Sequence, residues 1–158
     1  MGRMYSVPFA AVAVTAQQDF FEITAATGKT CIVHSIEIEQ TTEVGDAQEE
    51  MLSIALKRGT SATTSGSGGT APTPPPVNAN DAAAGFTAEV NNTTKMAAGG
   101  GSITTLRAWS WNVRIPFQKI FTPETRPIVI PGERLTVEPG TTPADSITMN
   151  GTLMVEEI

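Results

Sequence analysis

The sequence predicts an all-β protein, an antiparallel β-sandwich of about eight strands, and three observations predict it. Apolar residues recur with period two along most of the chain. Turn-forming pairs such as Pro131-Gly132 and Pro139-Gly140 punctuate these runs at short intervals. The composition is rich in Thr (23), Ala (19), Gly (14) and Pro (11), with only 16% charged residues against about 25% in an ordinary soluble domain. At 158 residues the chain has the length of one domain, 1–158. A chain of that size buries roughly 70% of the surface its unfolded form exposes, enough for a core.

Alternation sends every second side chain toward a core and the rest toward water, as in antiparallel sheets with one wet face. Strands are expected at 8–15, 20–24, 30–42, 51–59, 103–115, 127–130, 134–138 and 146–156, with an extra one near 86–90. Residues 1–8 are left as an N-terminal arm. In 30–42, Ile32, His34, Ile36 and Ile38 fall on one face and Val33, Ser35, Glu37 and Glu39 on the other. In 103–115, Trp109, Trp111, Val113 and Ile115 share a face. Residues 147–155 keep one register through Asn150-Gly151, which favours a bulge or a plain strand glycine over a hairpin there. Residues 47–58 read as strand or helix. Asp46-Ala47-Gln48-Glu49 resembles a capping box, but Leu52, Ile54 and Leu56 alternate, and the surrounding pattern favours strand.

Residues 59–80 differ in kind. Sixteen of these 22 residues are Gly, Pro, Ser or Thr and none is charged. With Gly99-Gly100-Gly101 further on, 59–102 is expected to be a long flexible insertion that builds no core.

The charge balance excludes some functions. Ten Lys and Arg against sixteen Asp and Glu give a net charge of −6, which argues against nucleic-acid binding. No apolar run reaches the ~18 residues of a membrane span. The stretch from Phe9 to Val14 is too short for a convincing signal peptide, so synthesis without secretion through a membrane is expected. Lone Cys31 excludes an internal disulfide and a Cys-based zinc site, and reads as a small buried hydrophobe.

No catalytic set, cofactor site or metal site stands out, and no enzyme activity is expected. His34 is the sole histidine and reads as a hydrogen-bonded core or interface residue. No Gly-x-Ser-x-Gly elbow accompanies it. Glu37 and Glu39 share a strand face, as a carboxylate pair for glycoside hydrolysis would, but read as a solvated face. Gly99-Gly100-Gly101-Ser102 lacks the Lys of a phosphate loop. Trp109 and Trp111 form either a sugar-stacking platform or part of a core or subunit interface, the second being the commoner use. Phe117 and Phe121, beside Pro116, are candidates for subunit contacts. A monomer with so little charge risks exposing sticky surface, and three-fold association would cover it.

The order of parts now resembles a family. An opening alternating strand is followed by Asp19-Phe20-Phe21-Glu22-Ile23-Thr24-Ala25-Ala26 and a Gly28-Lys29 turn. Then come Ile32-Val33-His34-Ser35-Ile36-Glu37-Ile38, the variable loop, Leu106-Arg107-Ala108-Trp109, Pro127-Ile128-Val129-Ile130-Pro131-Gly132-Glu133-Arg134-Leu135, and a last strand ending in Glu156-Glu157. This layout resembles tailed-phage head decoration (cement) proteins, auxiliary capsid proteins of jelly-roll or tumour-necrosis-factor-like type. The resemblance covers most of the chain outside 59–102. It implies a virion structural protein made in the host cytoplasm. That protein would sit on the outer capsid surface, commonly as a homotrimer, with the major capsid protein as partner. The arm, with Met4, Tyr5 and Val7, would be the part that touches the shell. A phage fibre or receptor-binding head, or a carbohydrate-binding sandwich, is the competing expectation, because one fold serves many functions.

Overall fold

A computed structural model of the chain describes residues 2–41 and 50–158. It is an antiparallel β-sandwich of ten strands: β1 (Arg3–Val14), β2 (Asp19–Thr24), β3 (Cys31–Gln40), β4 (Met51–Gly59), β5 (Thr87–Asn92), β6 (Ile103–Asn112), β7 (Phe117–Ile120), β8 (Ile128–Val129), β9 (Arg134–Pro139) and β10 (Ile147–Glu157). The first sheet runs β1-β10-β3-β7, with β8 also on β3; the second runs β5-β2-β9-β4-β6. The chain crosses between the layers six times, while β4, β5 and β6 stay in the second sheet and β7 and β8 in the first. The core between them holds Phe21, Ile23, Ile36, Ile38, Ile54, Leu56, Leu135, Val137, Leu153 and Val155, all essentially without solvent exposure.

The alternating runs form strands as their period requires. Residues 51–59 are strand, since Leu52, Ile54 and Leu56 all enter the core. The capping-box residues 46–49 lie outside the described residues. The extra strand near 86–90 is β5, at 87–92.

Five expectations need correction. Residues 3–8 are no arm: β1 begins at Arg3 and pairs with β10 from Arg3↔Glu157 onward. Tyr5 and Val7 are fully buried, so neither is free to touch a shell, and only Met4, half-buried, points away from the core. The run 103–115 stops at Asn112, where Ile115 N–H closes a turn on Asn112 C=O at 3.0 Å and leaves Ile115 exposed. Phe117–Ile120 forms a strand despite Pro116, because that proline precedes the ladder rather than interrupting it.

The fourth correction concerns β3. Met154 pairs with Ser35 and Val155 with Val33, so His34 is the extra residue of a β-bulge. A bulge shifts which side chains face inward. Cys31 and Val33 face the core before it and Ile36 and Ile38 after it, while Ile32 and His34 face outward.

Another bulge lies in β1. Phe9 pairs with Gly151 and Val12 with Met149, so Ala10 and Ala11 oppose Asn150 alone. Ala11 takes φ 53 and its N–H donates to Asn150 Oδ1 at 2.8 Å. Strand β10 passes through Gly151 unbroken, with a plain strand glycine. A Cβ there would meet the Phe9 ring at 2.6 Å and the Phe21 ring at 2.9 Å.

Residues 59–102 are held against the sandwich rather than free of it. Their two limbs pair with each other at Thr64↔Ala97, Ser67↔Thr94 and Thr70↔Val90. Between them the chain runs along the outer edge of β1, where Ser6 N–H donates to Pro75 C=O at 3.1 Å and Val77 N–H to Met4 C=O at 2.8 Å. Thr63, Pro74, Phe86, Ala88, Val90 and Met96 are buried. The composition that suggested free loop instead serves close approach. A Cβ on Gly69 would lie 2.2 Å from Val90 O, and one on Gly66 2.7 Å from Thr94 O.

Candidate functional site

The insertion is fastened by carboxylates that the sequence did not single out. Glu22 of β2, 1% exposed, accepts the Ser65 hydroxyl at 2.5 Å and the Gly66 N–H at 2.9 Å. Arg134 of β9 approaches the same carboxylate at 3.5 Å and donates to Thr63 C=O at 2.8 Å. Asp19 accepts the Met96 N–H at 2.7 Å. Glu138 pairs with Lys57 and, at 3.4 Å, with Lys95. Glu157, at the end of β10, accepts the N–H groups of Gly85 and Phe86 at 2.9 Å and Lys29 at 2.7 Å. Buried charges persist where they are paired and hydrogen-bonded, as those of Glu22, Glu138 and Glu157 are. As a result β2 and β9 are buried on both faces. A weak signal existed: Glu22 stands inside Phe20-Phe21-Glu22-Ile23, where two adjacent aromatics already indicate burial on both sides.

Burial pushes the Asp19 carboxyl up to about 8, reinforced by the neighbouring Glu138 and opposed by the Met96 N–H. Burial likewise pushes the Cys31 thiol up to about 12, with Glu157 adding to it.

The sequence-derived candidates fall into three places. Trp111 is 4% exposed and opposes Leu52, while Trp109, half-buried, opposes Ile54. The Trp109 ring lies 5.5 Å from Phe117 and 6.4 Å from buried Phe121. These aromatics close the sandwich between β6 and β7 and present no flat exposed platform for a sugar. Tyr5 belongs to the opposite side, where its ring meets Phe86 at 5.6 Å and its hydroxyl donates to Ala82 C=O at 2.9 Å. His34 lies on the outer side of the first sheet, with Nε2 2.8 Å from Glu156 Oε2.

The outer side of the first sheet is built in rows. Met4, Glu156, Ile32 and Ile128 stand opposite one another across β1, β10, β3 and β8. Ser6, Met154, Ser35 and Ile120 make the next row. Ile120 is 67% and Ile128 50% exposed. With Ile115 and Ile130, they make residues 115–130 the densest set of exposed large hydrophobics among the described residues. Glu37 and Glu39 are exposed on the same side.

The two lateral edges of the sandwich differ. On one side β1 is covered by residues 75–77 and β5 by Thr70. On the other, β6 and β7 end their sheets, and among the described residues no strand pairs with their outer edges. Among those residues, too, no group of three or more His, Cys, Asp or Glu is placed to hold a metal ion.

No protein-family model and no curated protein matches the sequence. One solved structure shows a faint likeness, "Structure of infectious bursal disease virus Gt strain", at 13% identity and TM-score 0.13. The match covers 100% of this chain and 38% of that one, and at such a score it carries no argument.

Proposed function

We infer that the chain is a virion structural protein that decorates a phage head as a homotrimer and bridges major capsid protein subunits. The observation that carries this reading is the asymmetry of the sandwich. One lateral edge and the β5-β2-β9 part of the second sheet are covered by the chain's own insertion. The opposite edge leaves two strands unpaired beside exposed Ile115, Ile120, Ile128 and Ile130. Unpaired edges and clustered apolar side chains are features that association covers. The repeated crossing of the chain between two antiparallel sheets supports a jelly-roll description of the fold. The shell contact moves from the N-terminal arm to this open rim, because β1 is integral to the sandwich.

Light scattering of the purified protein tests the oligomer, with a mass near three times 16.6 kDa expected. Co-sedimentation with undecorated heads tests the docking. Ile120→Arg with Ile128→Arg should abolish trimer or shell binding while leaving the melting temperature unchanged, since both side chains are exposed. Undiminished association by that variant would remove the rim from the account.

A further inference from the structure

A cavity of about 430 Å³ lies on the sealed side of the sandwich, between the β1 bulge and the insertion. Ligand pockets start at about 300 Å³ and combine apolar walls with a few placed polar groups. Here the walls are Pro8, Phe9, Val12 and Pro72, and the polar groups are Gln18, Asn91, Thr70 and Thr93. No charged residue lines it.

Three observations converge on this cavity. The two non-glycine residues with positive φ among the described residues are both at its margin: Asn91 (φ 57) lines it, and Ala11 (φ 53) sits between its lining residues Ala10 and Val12. Strained backbone of this kind persists where the surrounding structure requires it, and it concentrates at functional sites. Gln18 and Asn91 are 4% and 7% exposed, and the Gln18 Nε2 donates to Asn91 Oδ1 at 2.8 Å. That bond fixes the Asn91 amide, yet its Nδ2 is buried without any acceptor. An unmade hydrogen bond at a buried donor is costly and calls for an explanation. Finally, the rim is preformed, because Gly68 (φ 85) and Gly69 are locked against Thr93 and the β5 backbone.

The lining selects the ligand by chemistry. An ion of either sign would find no counter-charge. A wholly apolar molecule would leave the polar side chains of the wall without partners. A neutral hydroxylated molecule suits it, since amides and threonine hydroxyls both donate and accept, and Phe9 and the prolines offer C–H and ring surface. We propose that this cavity is a binding site for a neutral saccharide. The proposal is independent of the shell-docking reading, because the cavity lies at β1 and β5 and the open rim at β6 and β7.

The test is titration of the isotopically labelled full chain, followed by its amide resonances. The probes are glucose, galactose, mannose, N-acetylglucosamine and their disaccharides, with glucuronic acid and glucosamine as charged controls. A neutral sugar should shift the amides of Gly69, Thr70, Asn91 and Thr93 in a saturable way while the charged controls leave them in place. Thr70→Val and Thr93→Val, at exposed positions that spare the fold, should each weaken that binding about tenfold, the loss of one hydrogen bond. The proposal is overturned if no neutral sugar gives saturable shifts at these amides, or if the threonine variants bind like the parent.

Discussion

Asp19 Oδ2 accepts the backbone N–H of Met96 at 2.7 Å, while Asp19 Oδ1 is buried without a donor of its own. One carboxylate oxygen thus fastens the returning limb of the insertion. The other has no partner, and burial together with the nearby charge of Glu138 favours the protonated acid.

This arrangement sets a pH dependence. Burial first, then Glu138, raises the Asp19 carboxyl from its ordinary 3.8 to about 8, against the opposing pull of the Met96 N–H. Between those values the folded chain holds a proton that the unfolded chain has released. Stability therefore falls as pH rises from about 4 to about 8 and is best retained below that window. Asp19→Asn keeps an acceptor for Met96 and cannot ionise. Urea unfolding across this range should show the variant gaining on the parent as pH rises. A constant difference between the two would contradict the account.

Glu22 offers a test of how the insertion is held. It is 1% exposed and binds both Ser65 and Gly66. Glu22→Ala should cost about 2–4 kcal/mol, because it strands the Gly66 N–H and removes the partner of Arg134. The parent should resist a broad protease through 60–70, and the variant should be cut there first. Glu22→Gln, which keeps one acceptor, should lie between them. Equal cleavage of parent and Glu22→Ala would show that the segment is held by something else.

The strand pattern was legible because one-sided burial writes itself as period two. All eight expected strands are present, and Leu52, Ile54 and Leu56 decided strand over helix at 51–59. Bulges were not legible. The extra residue at His34 has no local mark, and it reverses the facing of Ile32 and His34 while leaving Ile36 and Ile38 as read. The insertion is not legible as packed because Gly, Ser and Thr carry little apolar surface of their own. They approach backbone closely and bond to buried acids on β2 and β10 instead. Those acids come from strands remote in sequence, so no spacing within the chain announces them. The same holds for the cavity, whose lining comes from residues 8–18, 68–72 and 90–93.

The two tryptophans should behave differently. Trp111 is 4% exposed in the core, so Trp111→Ala should cost about 3–5 kcal/mol. Trp109 is half-buried against Phe117 and Phe121, and its replacement should cost less. Acrylamide quenching of the single-tryptophan variants gives a second reading: the chain retaining Trp109 should quench more strongly. Equal quenching and equal loss would place both rings in the same environment.

Cys31 provides an internal report on opening of the sandwich. Its side chain is fully buried at the start of β3, opposite Val129 and Glu157. Burial, then the charge of Glu157, pushes the thiol up to about 12, opposed by Lys29. Only the thiolate reacts with alkylating agents, so the folded chain holds Cys31 inert both by exclusion and by charge. At pH 8, iodoacetamide should modify it at a rate set by unfolding and fully in urea. Lys29→Met leaves the Glu157 carboxylate without its 2.7 Å partner and should loosen the β10 end, quickening modification of the folded chain. Rapid labelling of the unaltered protein without denaturant would mean that the β3–β8 pairing opens far more readily than the rest of the core.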